Sequence, residues 1–322
     1  MKAAIVDAPG ESARYGDFAE PVVSDGYELV ELVASGLHPI VRALAEGRHY
    51  GSSGSWPMIP GIDAVARTPA GELIYTGLIK PPYGTFAQRM AAPKMLRFAL
   101  PAGADPVAIA AGINPGLSSW LPLRAHANEG ELGTVLLLGV TGVAGLLAVQ
   151  NARALGAARV VGAGRNPLAL QRAAELGATI VTLTGDRGAD ANALRNALGG
   201  AAPSIVLDYL WASAAEATFE ALGKRGFGEE SGDIAYVQIG DAAGPNASVP
   251  ASLLRSRRIR LSGSGAGSAV MSELMRQVPI YMHRIAEREV EVPTQTFALE
   301  RVGQAWTEKN PEPRRVVIVA AP

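Results

Sequence analysis

The chain has 322 residues, enough for two domains with well-developed cores. Apolar residues make up 48%, and 29 basic against 30 acidic residues leave a net charge of −1, which argues against extensive disorder and against a general polyanion-binding role. Cysteine is absent, so disulfides, thiolate nucleophiles and Cys-ligated metal centres are removed together.

Residues 1–7 meet Asp7 after a short apolar run, which is no signal-peptide pattern. Up to Trp120 the chain reads as short strands, over residues 2–6, 27–34, 64–67, 73–76 and 86–90, punctuated by Gly, Pro and Ser. Helices are expected over residues 40–46 and 105–111, the second started by Pro106 in its first turn. From about residue 123 the texture becomes alternating. Strands are expected over 134–138, 159–163, 179–183, 204–208, 233–239 and 259–263, with helices over 146–155, 168–176 and 190–198, the last capped by Asp190. Six strands with intervening helices describe a doubly wound α/β parallel sheet. A helix over 268–286, a strand over 290–297, a helix over 300–308 and a closing strand over 315–320 complete the chain.

The longest apolar span, residues 135–149, is broken by three glycines and falls short of the roughly 20 residues a membrane helix needs. A soluble protein without a membrane partner is expected. The basic run from Arg255 to Arg260 is short and leads into a strand, so it reads as a solvated loop and no nucleic-acid partner is implied.

The chemistry-bearing stretch is Gly139-Val140-Thr141-Gly142-Val143-Ala144-Gly145, set between the strand at 134–138 and the helix that follows. Its glycines allow a tight turn and close backbone approach to a pyrophosphate, at a helix N-terminus that carries partial positive charge. Thr141 can cap that helix or donate to phosphate. The second strand of the unit ends at Gly164-Arg165-Asn166, where an NAD site places an acid for the ribose 2′-hydroxyl. No acid lies between Val160 and Pro167, and a guanidinium fork suits a phosphate, so NADP(H) is the expected cofactor. Further strand ends on the same edge supply Tyr209, Trp211, Gly240, Ser262, Gly263 and Ser264, with Tyr209 and Trp211 equally readable as packing residues.

With that turn placed after a strand-rich N-terminal part, the chain resembles the medium-chain dehydrogenase/reductase superfamily, and most of all its zinc-free quinone oxidoreductase branch. The segments Ala34-Ser35-Gly36-Leu37-His38-Pro39, Ile59-Pro60-Gly61-Ile62-Asp63, Asn114-Pro115-Gly116-Leu117-Ser118-Ser119-Trp120 and Arg314-Arg315-Val316-Val317-Ile318 carry the match along essentially the whole chain. The resemblance implies a GroES-like catalytic domain from residues 1–122 and 265–322, and a Rossmann NADP-binding domain from 123–264. Zinc members of the superfamily use Cys, His and Cys ligands with a nearby acid; here the matching positions hold His38, Ile62 and Asn114, with Asp63 in the acid's place. One imidazole does not hold a catalytic zinc, which takes three protein ligands, so no metal is expected.

Without a Lewis acid, the implied reaction is hydride transfer from NADPH to a quinone or similar electron-poor carbonyl, with the proton from water or a side-chain hydroxyl. Reduction of an enone or enal double bond uses the same scaffold, and an NADPH-binding sensor or structural protein with little turnover is the alternative of another class. His38, Tyr50 and Asn114 are the catalytic candidates, and Trp56, Asp63, Tyr83 and Ser118 the candidates for the acceptor pocket, Asn114 and Ser118 falling at the chain's crossover between domains. The branch commonly has Asn at the position of His38, and Asp and Arg where Val41 and Ala45 stand. By resemblance the protein pairs as a homodimer through the edge strand near residues 259–264, and its compartment is the cytoplasm.

Overall fold

The computed structural model describes residues 1–224, 232–268, 270–309 and 312–320, and the chain divides into two compact units. The first is Met1–Pro115 with most of the chain from Met275 onward; the second is essentially Gly116–Leu274.

In the first unit β1 (Lys2–Ile5) pairs antiparallel with β2 (Arg14–Asp17). A larger sheet is built from β3 (Tyr27–Gly36), β4 (Asp63–Arg67), β5 (Leu73–Gly77), β6 (Arg89–Pro93) and β7 (Phe98–Ala99), with α1 (Pro39–Ala45) between β3 and β4. Alternation explains β3: Val30, Leu32 and Ala34 are buried while Glu31 is exposed, the period of a strand with one apolar face. The core beneath it gathers Val30, Leu32, Ile74, Phe86, Met90 and Ile318.

From this unit α2 (Pro106–Glu129) leads into the second, followed by β8 (Thr134–Leu138), α3 (Val143–Ala154), β9 (Arg159–Gly164), α4 (Pro167–Glu175), β10 (Thr179–Thr182), α5 (Arg187–Leu198), β11 (Ile205–Asp208), α6 (Ala212–Leu222), β12 (Ile234–Gln238), α7 (Ala251–Ser256) and β13 (Ile259–Gly263). The chain returns through α8 (Met271–Ala286), β14 (Thr294–Ala298), α9 (Val302–Thr307) and β15 (Arg315–Val319). The larger sheet of the first unit runs β14-β15-β3-β4-β5-β7, with β6 paired to β3. The sheet of the second runs β10-β9-β8-β11-β12-β13 and is fully parallel, the doubly wound sheet expected from the sequence. Both faces of that sheet are covered, which is why Val135 to Leu138 and Ile205 to Leu207 are continuous buried apolar runs.

Three elements differ from expectation. The helix expected to stop at residue 111 runs on to Glu129 through Pro115. An interior proline costs about 3 kcal/mol, but Ile109, Ile113, Leu117, Trp120 and Leu123 are all buried along this helix, and each contributes roughly 1.5 to 3 kcal/mol. The strand expected at 86–90 is displaced to β6, because Phe86 and Ala87 lie against β1 through the Ala3–Ala87 bridge. Asp190 is not the cap of α5: Asp186 accepts from the Ala189 N–H at 2.7 Å in that role. Asp190 instead accepts from the Thr184 N–H at 2.7 Å and the Gly185 N–H at 3.0 Å, fixing the loop before the helix.

Candidate functional site

The glycine turn lies where the sequence places it, between β8 and α3. Gly139 has φ 90°, a left-handed conformation that a side chain disfavours, and the N–H groups of Gly139 and Val140 both donate to the Ala163 carbonyl, at 2.9 and 3.1 Å. The turn is thus fastened to β9 before any ligand arrives. Gly145 packs still more closely: a Cβ there would meet the Gly139 carbonyl oxygen and lie 2.5 Å from the Val140 Cα. Helix α3 opens at Gly142 without a side-chain cap, and the first-turn N–H groups of such a helix start suit an anion. Thr141 is half-buried and packs against Gly164.

At the end of β9, Arg165 is exposed and has no hydrogen bond or ion pair with a described residue. Its neighbour Asn166 caps α4, accepting from the Ala169 N–H at 3.2 Å, and Pro167 sits in the first turn. Because all strands are parallel, the ends of β8, β9, β11, β12 and β13 share one edge. Gly139, Gly164, Arg165, Tyr209, Gly240, Gly263 and Ser264 lie along it, those of β9 and β13 with three strands between them. Ser262 and Gly263 are exposed on the edge strand β13, and the Ser264 N–H donates to the Gln238 carbonyl at 2.8 Å.

The turn after β11 is built around Asp208. Asp208 is buried and accepts from the Leu210 and Trp211 N–H groups at 2.8 and 2.9 Å, and from the Tyr236 hydroxyl at 2.6 Å. Burial pushes its carboxyl above the usual carboxylate range, against these three donors. Together they hold Trp211 and Ala212 at φ 59° and 46°, strained values for residues with side chains. Trp211 packs edge-on against Phe219 and Tyr236.

Candidates of the first unit fall into two groups. His38 and Asp63 are buried together, 1% and 5% exposed, with His38 Nε2 3.2 Å from Asp63 Oδ1. The N–H direction is not aligned for a hydrogen bond, so the contact is electrostatic. Asp63 Oδ2 accepts from the Tyr75 hydroxyl at 2.6 Å. The buried Arg315 donates to the Leu37 carbonyl at 3.2 Å and couples electrostatically to Asp63. Burial lowers Arg315 to about 10, so it stays charged at neutral pH. Burial also pushes His38 below its ordinary value; Asp63 opposes that shift and Arg315 adds to it. His38 is therefore a neutral imidazole in an ionic surrounding.

The remaining candidates are spread more widely. Tyr50 is 73% exposed and stacks on His49 with ring centroids 4.1 Å apart. Trp56 donates to the Ala45 carbonyl at 3.0 Å, tying its loop to α1. Tyr83 donates to the Glu20 carbonyl at 3.1 Å and meets Phe18 edge-on. Asn114 is half-buried with no hydrogen bond to a described residue. In the second unit Ser118 lies 3.0 Å from the Tyr209 hydroxyl. Arg315 and Tyr75 were missed in the sequence because each reads as an ordinary strand residue.

Zinc does not fit this donor set. Ile62 has no donor atom, His38 is the one imidazole of the three positions, and among the described residues no three His, Cys, Asp or Glu side chains are grouped to hold a metal ion. A dinucleotide phosphate does fit the turn at Gly142, where the uncapped helix start faces outward.

Residues 143–279 match the family of zinc-binding dehydrogenases. A probable NADPH-dependent quinone reductase of Emericella nidulans is 33% identical over 228 residues, a stretch that covers 67% of this chain and 62% of that protein's length. The quinone oxidoreductase of Thermus thermophilus, solved also as its complex with NADPH, superposes with a TM-score of 0.79 at 25% identity, covering 99% of this chain and 100% of that one. The mycobacterial protein Rv1454c complexed with NADPH superposes with a TM-score of 0.82 at 20% identity, covering 99% of each chain, which is a likeness of fold.

Proposed function

We propose that this chain, which belongs to the medium-chain dehydrogenase/reductase superfamily and to its quinone-reductase-like branch, binds NADPH and reduces a quinone or a similar electron-poor carbonyl acceptor without zinc. The observation that carries the reading is the glycine turn of β8 and α3 set beside an exposed Arg165 that pairs with no described residue, with no acid in the sequence at that end of β9. Bound NADPH supplies the hydride. The N-terminus of α3 holds the pyrophosphate, and the Arg165 guanidinium pairs with the 2′-phosphate in place of the carboxylate that would select NAD.

On the acceptor side, the candidate with an uncommitted donor is Asn114, whose amide can hydrogen-bond a carbonyl oxygen. His38 carries a different weight from the one first expected. As a neutral imidazole buried beside Asp63 it is no general acid at neutral pH, so the proton comes from water or a hydroxyl. Tyr50 enters the acceptor pocket only from the exposed surface of its loop. Trp56, Asp63 and Tyr83 serve the pocket as fixed walls, each already held by a hydrogen bond within its own unit.

Two further parts of the reading are a cytoplasmic location and a homodimer formed through β13. The exposure of Ser262, Gly263, Val270 and Met271 supports the second, and sedimentation of the purified protein tests it. Among the described residues no helix is long and apolar enough to cross a membrane. For the activity, NADPH oxidation is followed with a quinone panel and an enone panel in parallel. Turnover with quinones and preference for NADPH over NADH are expected. Turnover with enones alone gives the double-bond reductase instead, and tight NADPH binding with no turnover by any acceptor overturns the enzymatic reading.

A further inference from the structure

Tyr209 follows the last residue of β11, beside the place where β8 is flanked by β9 on one side and β11 on the other. That is the switch point over which a dinucleotide crosses an open parallel sheet. With the 2′-phosphate group at β9, the nicotinamide half extends towards β11 and β12. The Tyr209 backbone is fastened to the glycine turn: its N–H donates to the Leu138 carbonyl at 3.1 Å, and its Cβ lies 3.1 Å from where a Cβ on Gly139 would stand.

The phenol continues into a polar network that nothing in the proposed chemistry consumes. Its oxygen is 3.0 Å from Ser118 Oγ on α2. One residue on, Ser119 Oγ donates to the Gly116 carbonyl at 3.2 Å and accepts from Asn151 Nδ2 at 3.0 Å. Asn151, fully buried on α3, also donates to the Gly116 carbonyl at 3.1 Å. Three elements are therefore joined by hydroxyls and an amide where apolar packing would have been sufficient for burial. Burial raises the Tyr209 phenol to about 12, against its hydrogen bond with Ser118, so it keeps its proton at neutral pH and cannot serve as a base. A group that neither titrates nor reaches solvent freely acts by holding its neighbour. Ser118, half-buried, is that neighbour, and a hydroxyl both donates and accepts, as the carboxamide of a nicotinamide does.

We infer that Tyr209 is a positioning residue for the nicotinamide half of the cofactor, fixing the Ser118 hydroxyl beside the switch point while Ser119 and Asn151 tie that part of α2 to the helix of the glycine turn. The inference rests on the NADPH reading above and specifies which half of the cofactor the network serves. A purely structural tie would affect every ligand of the edge alike, whereas a positioning role affects only ligands that carry the nicotinamide.

The test compares NADPH with 2′-phospho-ADP-ribose, which keeps the phosphates and lacks the nicotinamide, by calorimetric titration of the parent protein, Tyr209→Phe, Ser118→Ala and Ser118→Thr. Removing one hydrogen bond of this kind is expected to weaken NADPH about 5- to 20-fold in Tyr209→Phe and Ser118→Ala. The affinity for 2′-phospho-ADP-ribose is expected to stay within about twofold, and Ser118→Thr to keep NADPH affinity because the hydroxyl is retained. Equal loss for both probes, or no loss for either, overturns the inference while leaving the cofactor reading standing. A parent protein that binds neither probe overturns both. Should Tyr209→Phe fail to fold, Ser118→Ala reads the same hydrogen bond from the helix side.

Discussion

At the carboxyl edge of the six-stranded sheet, the groups proposed to hold the cofactor are mostly backbone, at the turn at Gly139 and the start of α3. In the β-rich unit the comparable polar cluster is made of side chains: His38 before α1, Asp63 on β4, Tyr75 on β5 and Arg315 on β15. The two respond to change in opposite ways. A backbone site is indifferent to most side-chain substitutions but has no room for one extra carbon at Gly145. A side-chain cluster accepts changes of shape but not the loss of one charge, because its partners remain buried.

The sharpest way to break this contrast is Asp63→Leu. It strands the buried Arg315 charge and the Tyr75 hydroxyl, and a loss of about 3–5 kcal/mol is expected from denaturant unfolding. A loss below about 1 kcal/mol would show that charge does not organise the cluster. Gly145→Ala probes the other side. Overpacking against backbone that cannot yield is expected to cost about 3 kcal/mol, with NADPH binding lost in the same titration. A fully stable variant that still binds NADPH contradicts the close approach.

Arg165→Ala leaves the fold intact and is expected to weaken NADPH by about 10- to 100-fold, one charge-assisted contact, with NADH unchanged. Equal effects on the two cofactors remove Arg165 from the 2′-phosphate. The pH prediction concerns His38. Its folded-state pKa lies below the unfolded value of 6.5, so the unfolded chain binds more protons in that window. Stability is fully present above pH 6.5 and falls as the pH drops towards the folded pKa. His38→Gln should flatten that slope, which thermal melting across the acid range measures. The smallest effect is expected at Tyr50. Tyr50→Ala at this exposed site should change stability by no more than about 0.5 kcal/mol, so any fall in kcat/KM reports contact with the acceptor rather than a damaged fold.

How much was legible depends on how far apart along the chain the cooperating residues lie. The glycine turn and Arg165 are local: strand, turn, helix and second strand fall within residues 134–166, and a single repeat of hydrophobic pattern orders them. The run of α2 past Pro115 was not legible, since local propensity stops the helix and only the burial of residues such as Trp120 and Leu123 carries it on. Asp190 was misread for a similar reason, two acids near one helix start being equivalent until the loop at Thr184 chooses between them. His38 was found but its condition was not, because Arg315 lies far away in the sequence and reads as one more strand residue.

Short-range pattern was enough for the doubly wound sheet, the glycine turn and the place of Arg165, because each follows from local periodicity and from what a tight turn and a phosphate require. Packing in three dimensions was needed to make His38 a buried neutral base beside Asp63 and Arg315, and to bring Tyr209 to Ser118. Those contacts join strands and helices distant in the chain, and burial, which sets both proton affinity and the cost of an unpaired charge, exists only once they have packed.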